Sequence, residues 1–291
     1  MIRNKLLALC RREWFRRLTR PMVRAVKPKR WVFVLGCYNS GTTLLDHLLG
    51  QHPEISNLPS EGVDLTRGLP APEAFGWPRL WYKCHEEIEV AFQLSCPDPQ
   101  RITKDWSFWF DRKAPVVVEK SIANSLRIEW LNRNFNNPLF IWIVRNGYCV
   151  AEGIRRRSAL SASIPAEYHG QGYPIGWCAQ QWIENNRLIE SKISTMKNVV
   201  RLSYEDLVSN PEKSLLNIYS HLPLADPSVP KMEAFTFHGT TMKLRNMNPD
   251  SLSRLEGVDI SRINGIAEEW LRHYGYNVLD VIKKERNADG F

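Results

Sequence analysis

Apolar residues occur along this chain in two rhythms. Short dense runs at Val32–Leu35, Val116–Glu119, Leu139–Val144 and Val199–Leu202 stand between polar or turn-forming residues. Four to six such residues suit a strand buried on both faces of a parallel sheet. Between the runs the spacing lengthens. Thr42–Leu49 brings Leu44, Leu45, Leu48 and Leu49 to one side of a helix, facing inward. Further helices are expected over Asn124–Phe135, Tyr148–Arg157, Trp177–Met196, Pro211–His221 and Ile260–Tyr274, the last closed by Gly275. Residues 53–82, rich in Pro and Gly, read as long loops around short helices, 158–175 as a loop, and 223–257 as irregular. Strands alternating with helices predict an α/β fold, its central parallel sheet wound by right-handed crossovers and flanked by helices. The aromatic middle of the chain (Trp77, Trp81, Trp106, Phe108, Trp109) is expected mostly inside the core.

Charge divides the chain unevenly. Residues 1–30 hold eleven Lys/Arg and one acid, whereas the remaining residues hold 28 bases and 30 acids. A basic N-terminal arm, residues 1–30, therefore precedes a nearly neutral domain, residues 31–291. Leu7, Cys10, Trp14 and Leu18 fall at helical spacing among the arginines, so the arm is expected to be an amphipathic helix up to Pro21. Such a helix suits packing on the body, self-association, or peripheral contact with an anionic membrane face. Its apolar run is too short for a secretory signal, and no stretch reaches membrane-spanning length, which leads to an expectation of cytoplasmic location. Without a basic stripe on the body, no specific nucleic-acid partner is expected. Six widely spaced cysteines and seven histidines without metal-ligand spacing predict reduced, mostly buried thiols and no metal.

The chemistry concentrates in WVFVLGCYNSGTTLLDHLLG, residues 31–50. Gly36 and Gly41 are five apart, as in a nucleotide-binding P-loop, but Thr42 stands where that loop carries lysine. Main-chain amides at the start of the following helix form an anion cradle, to which Ser40, Thr42 and Thr43 add hydroxyls. Lacking the lysine, the loop suits an anion that needs no magnesium-assisted phosphoryl transfer. Arg145 leaves the end of LFIWIV, where open α/β sheets bind ligands, and Arg155, Arg156 and Arg157 follow three helical turns later. These three cannot share one helix face, so one or two are expected to be solvated charge. Glu61 in LPSEG stands in the loop that follows the first helix, while Lys120 in VVVEKS and Tyr204 in RLSYEDLVSNP stand at predicted strand ends.

In combination these motifs resemble the sulfotransferases that use 3′-phosphoadenosine 5′-phosphosulfate (PAPS), most closely the branch holding protein-tyrosine sulfotransferases and bacterial relatives. SGTTL followed by HPEI is similar to the 5′-phosphosulfate loop, RNGYCVAEGIRRR to the 3′-phosphate segment, and LRNMNPDSL to the nucleotide lid. The resemblance implies a P-loop-like three-layer fold. It also implies donor contacts from Asn39, Ser40, Gly41, Thr42, Thr43, Arg145, Gly153 and Arg157, with Tyr204 near the adenine and Arg245 on the lid. Lys120 is placed by it near the transferred sulfonyl group, and Glu61 as the base. Two positions depart from the pattern: Asn39 stands where the family has Lys or Arg, and Gly153 where it has serine.

The implied reaction is in-line sulfonyl transfer from PAPS to a hydroxyl or amine, releasing adenosine 3′,5′-bisphosphate (PAP). The acceptor expected is a small metabolite or a glycan or lipid intermediate, and the location the cytoplasm or the inner face of a membrane. Two rival readings are a P-loop kinase, disfavoured by the missing lysine, and a catalytically degenerate, membrane-associated nucleotide-binding module.

Overall fold

RWVFVLG, Arg30–Gly36, forms the central strand β1. Its alternate side chains fill two separate cores: Trp31, Phe33 and Leu35 on one face, Val32 and Val34 on the other. This two-sided burial explains why the run is apolar throughout rather than alternating. The computed structural model describes residues 18–230, 235–237, 240–242 and 244–281, the two short strands among them by their backbone. Most of the expected amphipathic helix, including Leu7, Cys10 and Trp14, lies outside the described residues.

After β1 come α1 (Thr42–Leu49), β2 (Ile55–Asn57), α2 (His85–Ser95), α3 (Pro99–Trp106) and β3 (Val116–Lys120). They are followed by α4 (Ile128–Asn134), β4 (Leu139–Val144), α5 (Gly147–Ser158), α6 (Ile175–Ile193) and β5 (Val199–Ser203). The described chain finishes with α7 (Tyr204–Ser209), α8 (Pro211–Tyr219), the antiparallel pair β6 (Phe235–Phe237) and β7 (Thr240–Met242), α9 (Asn248–Ser253) and α10 (Gly257–His273). The main sheet has order β2-β3-β1-β4-β5 with every neighbour parallel. Helix α1 and helices α7 and α8 cover one face through Leu45, Leu48, Leu207 and Leu215. Helices α5, α6 and α10 cover the other through Ile154, Trp182 and Ile263. The result is the expected three-layer α/β architecture.

Some elements differ from expectation. Residues 124–135 do not form one helix: a 3-10 turn, Ile122–Leu126, precedes α4, and Arg127 between them leaves helical geometry (φ −134°, ψ 24°). Asn124 hydrogen-bonds the buried Glu119 carboxylate through its side chain, a local alternative that favours a turn over a helix start. Residues 53–82 contain β2, and 223–257 contain β6, β7 and α9. Leu44 is only half-buried, while Leu45, Leu48 and Leu49 are enclosed. Trp81 and Trp106 are core residues; Trp77 and Trp109 pack against that core while partly open.

The arm's described part rests on the body. Arg20 pairs with Asp105 at 2.7 Å, Val26 is buried, and the Val26 amide donates to Ser107 Oγ at 2.9 Å. Among the described residues no helix is long and apolar enough to cross a membrane.

Candidate active site

Parallel pairing brings distant motifs to one edge of the sheet. Lys120 lies beside Val34, Gly36 beside Ile143, and Ser203 beside Val144. The loop after β1, the lysine ending β3, the arginine after β4 and the tyrosine after β5 therefore leave the sheet side by side, at its C-terminal edge.

The loop from Gly36 to Thr43 is tightly clasped. A Cβ at Gly36 would lie 2.8 Å from the Ile143 carbonyl oxygen. Asn39 (φ 62°) and Gly41 (φ 96°) adopt left-handed backbone, and a Cβ at Gly41 would meet the Tyr204 ring at 2.7 Å. Ser40 is buried and its hydroxyl is turned inward, donating to the Cys37 carbonyl. The first amides of α1 lack intrahelical acceptors, and among the described residues those of Gly41, Thr42 and Thr43 find no other. They form a cradle of free donors at the positive end of a helix.

Glu61 and Lys120 meet. Lys120 Nζ lies 2.8 Å from Glu61 Oε1, and the Ile122 amide donates to Glu61 Oε2 at 3.2 Å. The next residues are fastened as well: the Gly62 amide donates to Glu119 Oε1 at 2.8 Å and the Val63 amide to Ser121 Oγ at 3.2 Å. Segments 61–63 and 119–122 are thus laced by polar bonds. Glu119 is fully buried, its carboxyl raised by burial and restrained downward by Ser121, Gly62 and Asn124, so its role is to hold this lacing.

Arg145 is buried behind the loop. It donates from Nε to Asn248 Oδ1 at 2.8 Å and from Nη1 to the Asn39 carbonyl at 2.7 Å, and it stacks on Tyr204 with 4.2 Å from Cζ to the ring centre. Its Nη2 is buried without a partner. Tyr204 accepts the Met247 amide at 3.1 Å through its hydroxyl, which also approaches the Arg245 carbonyl. The Arg245 side chain is exposed and pairs with Asp250 at 2.8 Å. Of the arginine triplet, Arg155 forks onto Asp259 and Arg156 pairs with Glu152. Arg157 has no ion pair among the described residues and lines the cleft above the loop. Arg145 and Arg157 are therefore not brought together: one braces the loop from behind, the other faces it.

The two departures from the sequence pattern do touch. A Cβ on Gly153 would lie 2.5 Å from Asn39 Nδ2 and 2.9 Å from its Cβ and Cγ. The Asn39 side chain occupies the space that a glycine in α5 leaves open.

A cleft of about 520 Å³ opens over the loop; Asn39, Thr42, Thr43, Glu61, Ile122 and Arg157 line it, while Lys120, Arg145, Tyr204 and Arg245 lie outside its lining. Tyr38, Asp64, Glu73 and Arg79, which sequence reasoning missed, also line it. The Asp64 and Glu73 carboxyls are raised, by burial first and the Glu61 charge in addition. Burial lowers the Arg79 guanidinium. No motif surrounds these residues; only Asp64, three positions after Glu61, carried a proximity signal. Among the described residues no group of three or more His, Cys, Asp or Glu is placed to hold a metal ion.

Free amides at a helix start, an orphaned guanidinium nitrogen and a glycine pressed against an aromatic ring fit a phosphorylated nucleotide. A P-loop-type sheet edge without the loop lysine defines an anion-binding α/β enzyme that is not built like a nucleoside triphosphatase. Residues 31–228 match the model of the sulfotransferase family, and the chain belongs to that family of PAPS-dependent sulfonyl-transferring enzymes. In fold it is similar to the sulfotransferase domain of the olefin synthase from Synechococcus PCC 7002 (18% identity, TM-score 0.50, covering 83% of this chain and 96% of that one). It is likewise similar to sulfotransferase STF9 from Mycobacterium avium (13% identity, TM-score 0.51, covering 90% and 80%). No curated protein sequence matches the chain.

Proposed function

We propose that this sulfotransferase uses Glu61 as the base and Lys120 as the charge that steadies the transferred group. The observation that carries the reading is their 2.8 Å contact at the cleft beside the lysine-less loop. When bound, PAPS supplies an activated sulfonyl group and leaves as PAP, keeping the electron pair of the broken S–O bond. Glu61 takes the proton from the acceptor hydroxyl or amine as its oxygen or nitrogen bonds sulfur. Lys120, held at the end of β3, stands where negative charge grows on the sulfonyl oxygens. The amides of Gly41, Thr42 and Thr43, with Ser40 shaping their turn, suit the 5′-phosphate. The orphaned nitrogen of Arg145 suits the 3′-phosphate, which would enter beside Asn39 and Gly153. Tyr204 offers a ring for the adenine, Arg245 a charge on the lid segment, and Arg157 a guanidinium on the cleft wall.

A 520 Å³ cleft accommodates a small metabolite or the reacting end of a glycan or lipid intermediate, and these are the acceptors proposed. Residues 1–30 bring peripheral contact with an anionic membrane or self-association to that scheme. The test is an acceptor screen with radiolabelled PAPS, read by mass spectrometry, run on wild type and Glu61→Gln. Loss of a base worth about 10²–10⁴-fold in rate, with PAP affinity unchanged, is expected. A Glu61→Gln variant that turns over at the wild-type rate overturns the assignment.

A further inference from the structure

Arg79 is an unusual residue for a loop without a motif. Its backbone is left-handed (φ 68°), a conformation that side chains other than glycine, asparagine and aspartate seldom adopt. Strain of this kind persists where surrounding contacts insist on it, and it gathers at ligand sites. The contacts are specific. Nη1 donates to Asn39 Oδ1 at 3.1 Å, and the guanidinium lies 5.8 Å from the centre of the Tyr38 ring. Among the described residues Arg79 has no salt-bridge partner, although Glu61 and Glu73 line the same cleft. Arg157 lines it too, also unpaired, and the two cations oppose each other electrostatically. Two guanidiniums without a carboxylate partner share a half-enclosed cleft with the free amides of Thr42 and Thr43, a donor set suited to an anion.

We propose that Arg79 is a catalytic residue of this enzyme, its guanidinium binding the sulfonyl oxygens of the donor between the loop and Glu61. The assignment rests on the PAPS reading above and goes beyond it. Asn39 acts as the positioning residue: its amide oxygen aims the guanidinium, and its carbonyl accepts Arg145. The loop amides, two residues and more beyond Asn39, hold the 5′-phosphate; the sulfonyl group extends from it toward Glu61. The fork of Arg79 is then closer to the group that moves than to the group that stays. Lys120 reaches Glu61 from the strand side, so the transferred group meets Arg79 on the cleft wall and Lys120 beside Glu61.

The test compares two nucleotides that differ only in the sulfonyl group. Calorimetry is run with PAPS and PAP on wild type, Arg79→Gln, Arg79→Lys and Arg79→Gly, with thermal unfolding of each. Arg79→Gln is expected to weaken PAPS binding at least tenfold and PAP less than threefold, with Arg79→Lys recovering part of the loss. Arg79→Gly relieves the left-handed backbone, so it should unfold at no lower temperature than wild type while losing PAPS affinity like Arg79→Gln. Equal weakening of PAP and PAPS would mean that Arg79 merely braces the loop. Wild-type PAPS affinity in Arg79→Gln would leave it no contact at all. Either result overturns the assignment alone. A wild type that binds neither nucleotide removes the donor reading together with it.

Discussion

Gly153 and Asn39 offer a quantitative trial of the loop's packing. Replacing Gly153 by alanine in the middle of α5 should, on helix propensity alone, stabilise the protein by about 0.5–1 kcal/mol. The structure demands the opposite. The new methyl would sit 2.5 Å from Asn39 Nδ2 and 2.9 Å from both Cβ and Cγ, so rotating the amide does not clear it. Overpacking of this severity costs about 1–3 kcal/mol, which offsets the propensity gain and leaves Gly153→Ala less stable by up to about 2.5 kcal/mol. Asn39→Gly empties that space, and its left-handed φ of 62° suits glycine. In the double variant the methyl enters vacated volume, and the coupling between the two positions should favour it by about 1–3 kcal/mol. Urea denaturation of the four proteins, fitted with a common m-value, reads the cycle directly. Gly153→Ala more stable than wild type by about 0.5–1 kcal/mol, as propensity alone demands, or single effects that add to within about 0.5 kcal/mol, would refute the packing argument.

Two further outcomes follow from the same edge of the sheet. Arg145→Ala should weaken PAP binding by about 1.5–3 kcal/mol, the usual worth of a charge-assisted contact, and lower stability because Asn248 and the Asn39 carbonyl lose their donor; calorimetry showing wild-type affinity removes the 3′-phosphate role. Asp46, whose carboxyl is pushed up to about 7 by burial despite Lys120 and Asn57, stays protonated in the folded chain while the unfolded chain has released its proton. Between about pH 4 and 7 the folded state therefore binds the extra proton, and stability falls as pH rises through that window. Asp46→Asn should flatten this fall, as seen in denaturation midpoints across the range; an unchanged slope contradicts the raised Asp46 carboxyl.

What could be read from the sequence depended on how completely a segment is buried. Strands β1 and β4 are enclosed on both faces, so their apolar runs were plain. Strand β2 has three residues, of which only Ile55 is buried, and gives no pattern. Helix α2 buries only Ile88 and was equally silent. The loop, Lys120, Arg145 and Tyr204 were legible because a parallel sheet delivers every strand end to one edge. Arg79 was not legible, since its left-handed backbone and its aim at Asn39 come from tertiary contacts that no local spacing encodes. The contact between Asn39 and Gly153 was hidden for the same reason: the sequence shows two separate departures, and only the fold shows that one side chain fills the room left by the other.

The lacing of segments 61–63 to 119–122 bears on how substrates are chosen. Glu61 is not a side chain on a swinging loop: its neighbours are moored to a fully buried carboxylate, and its own oxygens are held by Lys120 and the Ile122 amide. With the proposed proton acceptor anchored in this way, the burden of alignment passes to the incoming molecule. Selectivity then becomes a question of which nucleophiles can reach a stationary target, and redesign for a new acceptor belongs in the walls around Leu160 and Pro78 rather than in the anchor itself.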